Sequence, residues 1–391
     1  MDNKMNNNQY QLDKVVILSR HGIRTPLENT IAFLEKSSPL KWPSWDHAYG
    51  YLTTRGGVLE TFFGHYLSQW LEQKNINIEP ENPDIYVYAN SLQRTVATAQ
   101  FLVAGAFAGY DIPIHHKYTI EKMDPIFDPS VKNDSLEIKQ KVLKEIEEAD
   151  QKQSIFKNLA PAYKIVSDIL DYPHSQLYAE LKCDFADIPY ELHFVKNEEP
   201  ELRGPLAIGI CVVDAFLLQY YSAFPKEQIA WGKITSQEQW QQLMHIRNQY
   251  IDLVFHSRTI ARHNSKLLIN KIDDLLHNKT HKVNLLVGHD STIAALLGAL
   301  DFAPYQLPNQ FENTPIGGMV ILQRYRHVTS GKYFFKAEYV YQSFEQLYTG
   351  EAIDINNPPQ HYQLKLLNAT PNSDGFYSWH DFEKRIKDFQ P

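Results

Sequence analysis

Arg20-His21-Gly22-Ile23-Arg24-Thr25-Pro26 sets two guanidinium groups around one imidazole, one residue after the apolar run 15–18. Arginine presents a planar fork that matches phosphate oxygens two at a time, and it keeps its charge at any accessible pH. Beside such cations the pKa of His21 should fall, leaving a neutral ring able to attack a phosphate ester even in mild acid. Far downstream, His289-Asp290 offers a second imidazole and a carboxyl group, and Arg94 offers a third guanidinium.

Three strand-like runs must bring these groups together. The first is 15–18. The second, 84–89, stops at Asn90-Ser91, which reads as a helix cap followed by a helix over 92–108 with Arg94 near its start. The third, 283–287, ends in Gly288-His289-Asp290-Ser291 and leads into a helix over 292–300. Each run delivers a phosphate-compatible group at or just past its carboxyl end. In open α/β sheets that edge is where ligands bind, and the helix N-termini that follow add N–H donors and positive dipole. Arg20, Arg24, Arg94 and His289 are therefore expected to converge on one phosphate, with Asp290 beside the scissile bond.

The α/β signals cover roughly 12–116 and resume near 265, continuing into 318–322. Between them the periodicity is helical: 135–149 is charged and amphipathic, 160–170 carries apolar residues at helical spacing, and 212–221 is strongly apolar. The expected fold class is α/β, a mainly parallel sheet flanked by helices. Residues 10–118 and 266–391 form its core unit, and a mostly helical cap (119–265) is inserted over the catalytic edge. Near the C-terminus, 320–325 and 333–341 flank Ser330-Gly331, a hairpin expected at the sheet's border.

Composition sets limits. The 391 residues are 43% hydrophobic and carry 38 Lys+Arg against 46 Asp+Glu, a net charge of -8. Nucleic acid and anionic membranes are therefore not expected partners, and the phosphate-binding charge must be local. No apolar run reaches the length of a membrane span. His115-His116 point apart on a strand and no His-Glu-x-x-His or Cys-x-x-Cys accompanies them, so no metal is expected. No Walker loop and no Gly-x-Gly-x-x-Gly is present, so no cofactor is expected either. Cys183 and Cys211 leave two options open, one bridge or two free thiols. The oligomeric state is left open.

Arg-His-Gly-x-Arg-x-Pro with a late His-Asp pair resembles the histidine acid phosphatase family, the branch that holds phytases and periplasmic glucose-1-phosphatases. Leu52-Thr53-Thr54-Arg55-Gly56-Gly57, Asn90-Ser91-Leu92-Gln93-Arg94-Thr95, Val213-Asp214-Ala215-Phe216 and Thr314-Pro315-Ile316-Gly317-Gly318 are similar to the glucose-1-phosphatase group in particular. The resemblance runs from about residue 12 to the end. It implies a phosphoglycerate-mutase-like core and an acid phosphomonoesterase working through a phosphohistidine on His21. Asp290 would protonate the leaving group while Arg20, Arg24, Arg94 and His289 bind phosphate. It further implies that Glu199, in Asn197-Glu198-Glu199-Pro200, is an acidic gate favouring glucose-1-phosphate over inositol hexakisphosphate. The partner would be a sugar phosphate or, alternatively, an inositol phosphate. A phosphatase scaffold that only binds phosphate is the reading from another class. Export to the periplasm is implied as well, although residues 1–9 are polar and lack the apolar core of a signal peptide.

Overall fold

The computed structural model describes residues 9–81 and 83–389; the polar stretch 1–8 read above lies outside the described residues. Its strands are β1 (Tyr10–Arg20), β2 (Ile85–Ala89), β3 (Ile114–His115), β4 (Glu191–His193), β5 (Glu201–Arg203), β6 (Val283–Gly288), β7 (Met319–His327), β8 (Tyr333–Tyr341), β9 (Gln360–Gln363) and β10 (Tyr377–Ser378). Eight of them form one sheet in the order β10-β8-β7-β1-β6-β2-β3, with β9 also paired to β8. From β1 across β6 and β2 to β3 the pairing is parallel; β7, β8, β9 and β10 pair antiparallel. The β7–β8 hairpin forms as the sequence suggests. It does not end the sheet, because β9 and β10 add to the far side of β8.

Alternation along β1 explains why both faces are covered. Val16 and Leu18 pack with Leu286 against the helices Arg258–His277 and Asp290–Ala299, while Val15 and Ile17 pack with Leu285 against Trp70, Leu67 and Leu102. A third apolar cluster fills the helical segment between β3 and β6. It joins Val142, Leu159, Val213 and Leu243 to Ile23, Leu59 and Ile316 at the sheet's carboxyl edge.

The helices of that segment follow their sequence signals. Ser135 caps Leu136–Gln153, Pro205 opens Pro205–Tyr221, and Ser236 with Gln239 forms a capping box for Gln237–Val254. The expected cap at Asn90-Ser91 does not form. The helix Gln93–Ala106 begins after Leu92 with no side-chain cap, because Asn90 is committed elsewhere.

Candidate active site

Register decides the site. Arg20 lies opposite Gly288 across β1–β6, and Ala89 opposite Val287 across β2–β6, so the three parallel strands end level with one another. The residues that follow, His21, Asn90 and His289, thus become neighbours although up to 268 positions separate them in the chain. The loop after β1 is clamped by the helix Thr54–Gln73: Thr53 donates its N–H to the Ile23 carbonyl, and its hydroxyl accepts from Gly56 N. A Cβ on Gly56 would lie 2.3 Å from that carbonyl oxygen, so only glycine permits the approach.

His21 is buried at 3% exposure. Its Nδ1 is 2.9 Å from the Gly22 carbonyl, which can only accept, so the proton sits on Nδ1 and Nε2 keeps a free lone pair. Burial, followed by Arg94, Arg20 and Arg24, holds the ring well below the usual imidazole pKa, hence neutral. His289 packs against it edge-on with ring centroids 5.5 Å apart, and it too is kept neutral by burial and Arg94. The Asn90 side chain explains the missing helix cap. Its Oδ1 accepts Asp124 N, and its Nδ2 lies 2.6 Å from His289 Nε2.

Three guanidinium groups surround His21. Arg20 Nη1 donates to Glu312 Oε2 at 2.9 Å and to the Thr314 carbonyl at 2.6 Å, while Nη2 reaches Asp290 Oδ2 at 3.1 Å. Arg24 is 3.6 Å from Asp214, and Arg94 makes no ion pair among the described residues. In all three the buried Nε has no acceptor. Orphaned donors of this kind are rare, and three around one imidazole form a cradle for an oxyanion.

To protonate a leaving group directly, Asp290 would have to carry a proton at the outset, and its surroundings oppose that. Burial pushes its pKa up, but Arg20 and Arg247 outweigh that and hold the carboxyl far below the usual range. Arg247 Nη2 touches Oδ2 at 2.5 Å. In the ligand-free protein Asp290 is therefore an anion.

Arg247 was not singled out from the sequence. It is fully buried on the helix Gln237–Val254 and holds Asp214 Oδ1 (2.9 Å), Glu312 Oε2 (3.3 Å) and Thr314 Oγ1 (3.2 Å) besides Asp290. The available signal was its place among apolar neighbours at helical spacing, Leu243, Tyr250 and Ile251. Asp214 carried a clearer one, as the sole charge in the apolar helix Pro205–Tyr221. Glu312, in a loop without periodicity, carried none. Glu60, given no role from the sequence, is buried against Gly22 and Gly317, and burial alone raises its pKa well above the usual value.

Beside Arg24 and Asp290 opens a cavity of about 190 Å³ with Glu199, Asp214 and Tyr250 in its wall. Glu199 is an exposed residue of this wall, with much of the surrounding protein close to its carboxyl. Desolvation by that protein, reinforced by Asp290, pushes its carboxyl up to about 7. Glu198 instead pairs with His193 at 2.7 Å, away from the cavity. Cys183 and Cys211 are both free thiols; Cys211, in the same wall, is pushed up to about 12 by burial. Among the described residues no group of three or more His, Cys, Asp or Glu side chains is arranged to hold a metal ion.

The model of the histidine phosphatase superfamily (branch 2) matches residues 11–340. The glucose-1-phosphatase of Salmonella typhimurium is 42% identical over 374 residues, 94% of this chain and 90% of that protein. The glucose-1-phosphatase of Providencia rettgeri is 41% identical over 382 residues, 95% and 90% of the two chains. Among solved structures, Hafnia alvei phytase in complex with myo-inositol hexakis sulphate superposes with a TM-score of 0.87. It is 27% identical, with 97% of each chain covered.

Proposed function

Because the chain belongs to branch 2 of the histidine phosphatase superfamily, we propose that it is an acid phosphomonoesterase that hydrolyses glucose-1-phosphate. The observation that carries this reading is the neutral His21, with Nε2 free, set among three guanidinium groups whose Nε hydrogens lack acceptors. Arg20, Arg24 and Arg94 take the phosphoryl oxygens, joined by His289 once its imidazole turns from Asn90 to the ligand. Nε2 of His21 attacks phosphorus, the bond from phosphorus to the sugar oxygen breaks, and a phosphohistidine forms.

Asp290 supplies the proton that the departing oxygen needs. An ester phosphate arriving in mild acid, below a second pKa of about 6, still bears one proton. Its negative charge also offsets Arg20 and Arg247, so the proton can pass to Asp290 and from there to the leaving alcohol. Water then attacks the phosphohistidine, Asp290 accepts its proton, and phosphate and His21 are restored. The positive charge for both steps comes from side chains, and we propose no metal role.

Two features favour a sugar monophosphate. The cavity of about 190 Å³ beside Asp290 is small against the roughly 300–1,000 Å³ of drug-sized ligand pockets, and Glu199 narrows its wall in acid and adds negative charge to it once the pH rises past about 7. Inositol hexakisphosphate is the second reading, favoured by the close superposition on the Hafnia phytase bound to a hexasulphate. We read 10–118 and 266–391 as the catalytic unit and 119–265 as its cap, with the helix Arg258–His277 crossing the second junction. We also place the enzyme in the periplasm on family grounds; among the described residues no helix is long and apolar enough to cross a membrane.

The test is kcat/KM for glucose-1-phosphate and inositol hexakisphosphate side by side, with His21→Ala as control. We expect the first substrate to be preferred, and His21→Ala to lose at least a thousandfold in turnover together with the acid-labile phosphoprotein. A preference for the hexakisphosphate would select the second reading. Turnover by His21→Ala within tenfold of the parent would remove the covalent mechanism, and no phosphate release from either ester would leave a phosphate-binding protein.

A further inference from the structure

A second concavity lies apart from the cavity beside Asp290. A cleft of about 1050 Å³ lies between the helix Gln237–Val254, the segment 305–313 and the start of the helix Phe344–Thr349, and it shares no lining residue with the cavity beside Asp290. Its chemistry is distinctive. Ten of its nineteen lining residues carry a primary amide, none is Lys or Arg, and the only acids are Glu345 and Glu351. A phosphate or other anion would find no cation there. A cationic ligand would meet only two carboxylates in a volume that holds many more neutral groups.

Along the helix, Gln237, Gln241, His245 and Gln249 recur every fourth residue, so they line one face, while Leu243, Met244, Ile246 and Tyr250 are buried behind. The side chains of Gln237, Gln241, Gln249 and Gln306 make no hydrogen bond within the described residues; each keeps two donors and an acceptor to offer. The floor beneath them is fixed. Asn248 Nδ2 donates to the Phe311 carbonyl at 2.7 Å, its Oδ1 accepts Asn313 N at 2.9 Å, and Gln310 Nε2 donates to the Gln342 carbonyl at 3.1 Å. Half-buried Tyr305 and Phe311 add aromatic surface between the amides.

We propose that this cleft is a second binding site, for a neutral oligosaccharide. Amides are planar, uncharged and both donate and accept, which suits the paired hydroxyls of a sugar. The aromatic rings suit its apolar C–H faces. The volume exceeds what one hexose fills, so several linked units are required. Because the floor is already ordered, binding needs little rearrangement of the protein.

Titration calorimetry on the full chain tests this, with maltotetraose, cellotetraose and chitotetraose as probes and inorganic phosphate present at saturation. At least one probe should bind saturably with a Kd below 1 mM, unaffected by phosphate. The Gln241→Ala/Gln306→Ala double variant should weaken it at least tenfold while phosphatase activity stays at the parental level. Failure of all three probes to bind, competition by phosphate, or unaltered binding in the double variant would overturn the proposal. None of these outcomes depends on the substrate of the catalytic site.

Discussion

Replacing Glu199 by Gln removes one negative charge from the cavity wall and keeps the length of the side chain, so its effect should follow pH. With its carboxyl pushed up to about 7, Glu199 is charged only above neutrality. At pH 5 about one molecule in a hundred carries that charge; at pH 8 about nine in ten do. The wall is open to water, so a charge about 8 Å away feels roughly 1 kcal/mol at an effective dielectric near 40, or about fivefold in capture. Inositol hexakisphosphate presents several further phosphates to that charge, whereas glucose-1-phosphate presents none beyond the group being transferred. The assay is the ratio of kcat/KM for the two esters at both pH values. Parent and Glu199→Gln should agree at pH 5. At pH 8 the variant should favour the polyanion about five- to tenfold more than the parent, and added salt should shrink the gap. An equal change at both pH values would mean that shape governs selection. The same change in Glu198→Gln, whose carboxylate is held by His193, would remove Glu199 from the argument.

Asp290→Asn should slow glucose-1-phosphate turnover by about 10²–10⁴ but spare an aryl phosphate, whose leaving group needs little protonation; equal losses would assign the proton to another group. Arg247→Met strips Asp214, Asp290 and Glu312 of their shared buried cation and should destabilise the fold by about 3–5 kcal/mol, read in a denaturant titration. A shift near zero would show that Arg20 and Arg24 suffice. Glu60, raised by burial, binds its proton more tightly folded than unfolded, so the parent loses stability as pH climbs above the ordinary carboxyl value. Glu60→Gln should therefore match the parent near pH 4 and gain on it toward pH 7, and a difference that stays constant in thermal melts would mean that Glu60 is charged in the fold.

The candidate site at the carboxyl end of the sheet was legible because its residues sit at or just past the ends of strands. Arg20-His21 and His289-Asp290 needed only parallel neighbours at a common level, which the short apolar runs already implied. Asn90 was visible but misread: an amide after a strand serves equally well as a helix cap, and only the tertiary partners Asp124 and His289 decide between them. Arg247 and Glu312 were hidden for a related reason. Each gains its meaning from partners 33 or more positions away, and no local pattern records that. The edge strands β9 and β10 escaped notice because four polar residues and two residues carry no periodicity to read.

The central place of β6 has a consequence for how the molecule is made. Val15 pairs with Val283, and β1 and β2 meet only through that later strand. At about 5–20 residues per second, roughly 10–40 s separate the emergence of β2 from that of β6 on the ribosome. During that interval the backbone edges of β1 and β2 that β6 will fill stay unpaired, and contacts of such long range form slowly. The early chain is thus a natural client for a chaperone. The three arginines have no common strand to gather around until the last third of the polypeptide arrives, so the phosphate cradle we propose is assembled only when synthesis is nearly done.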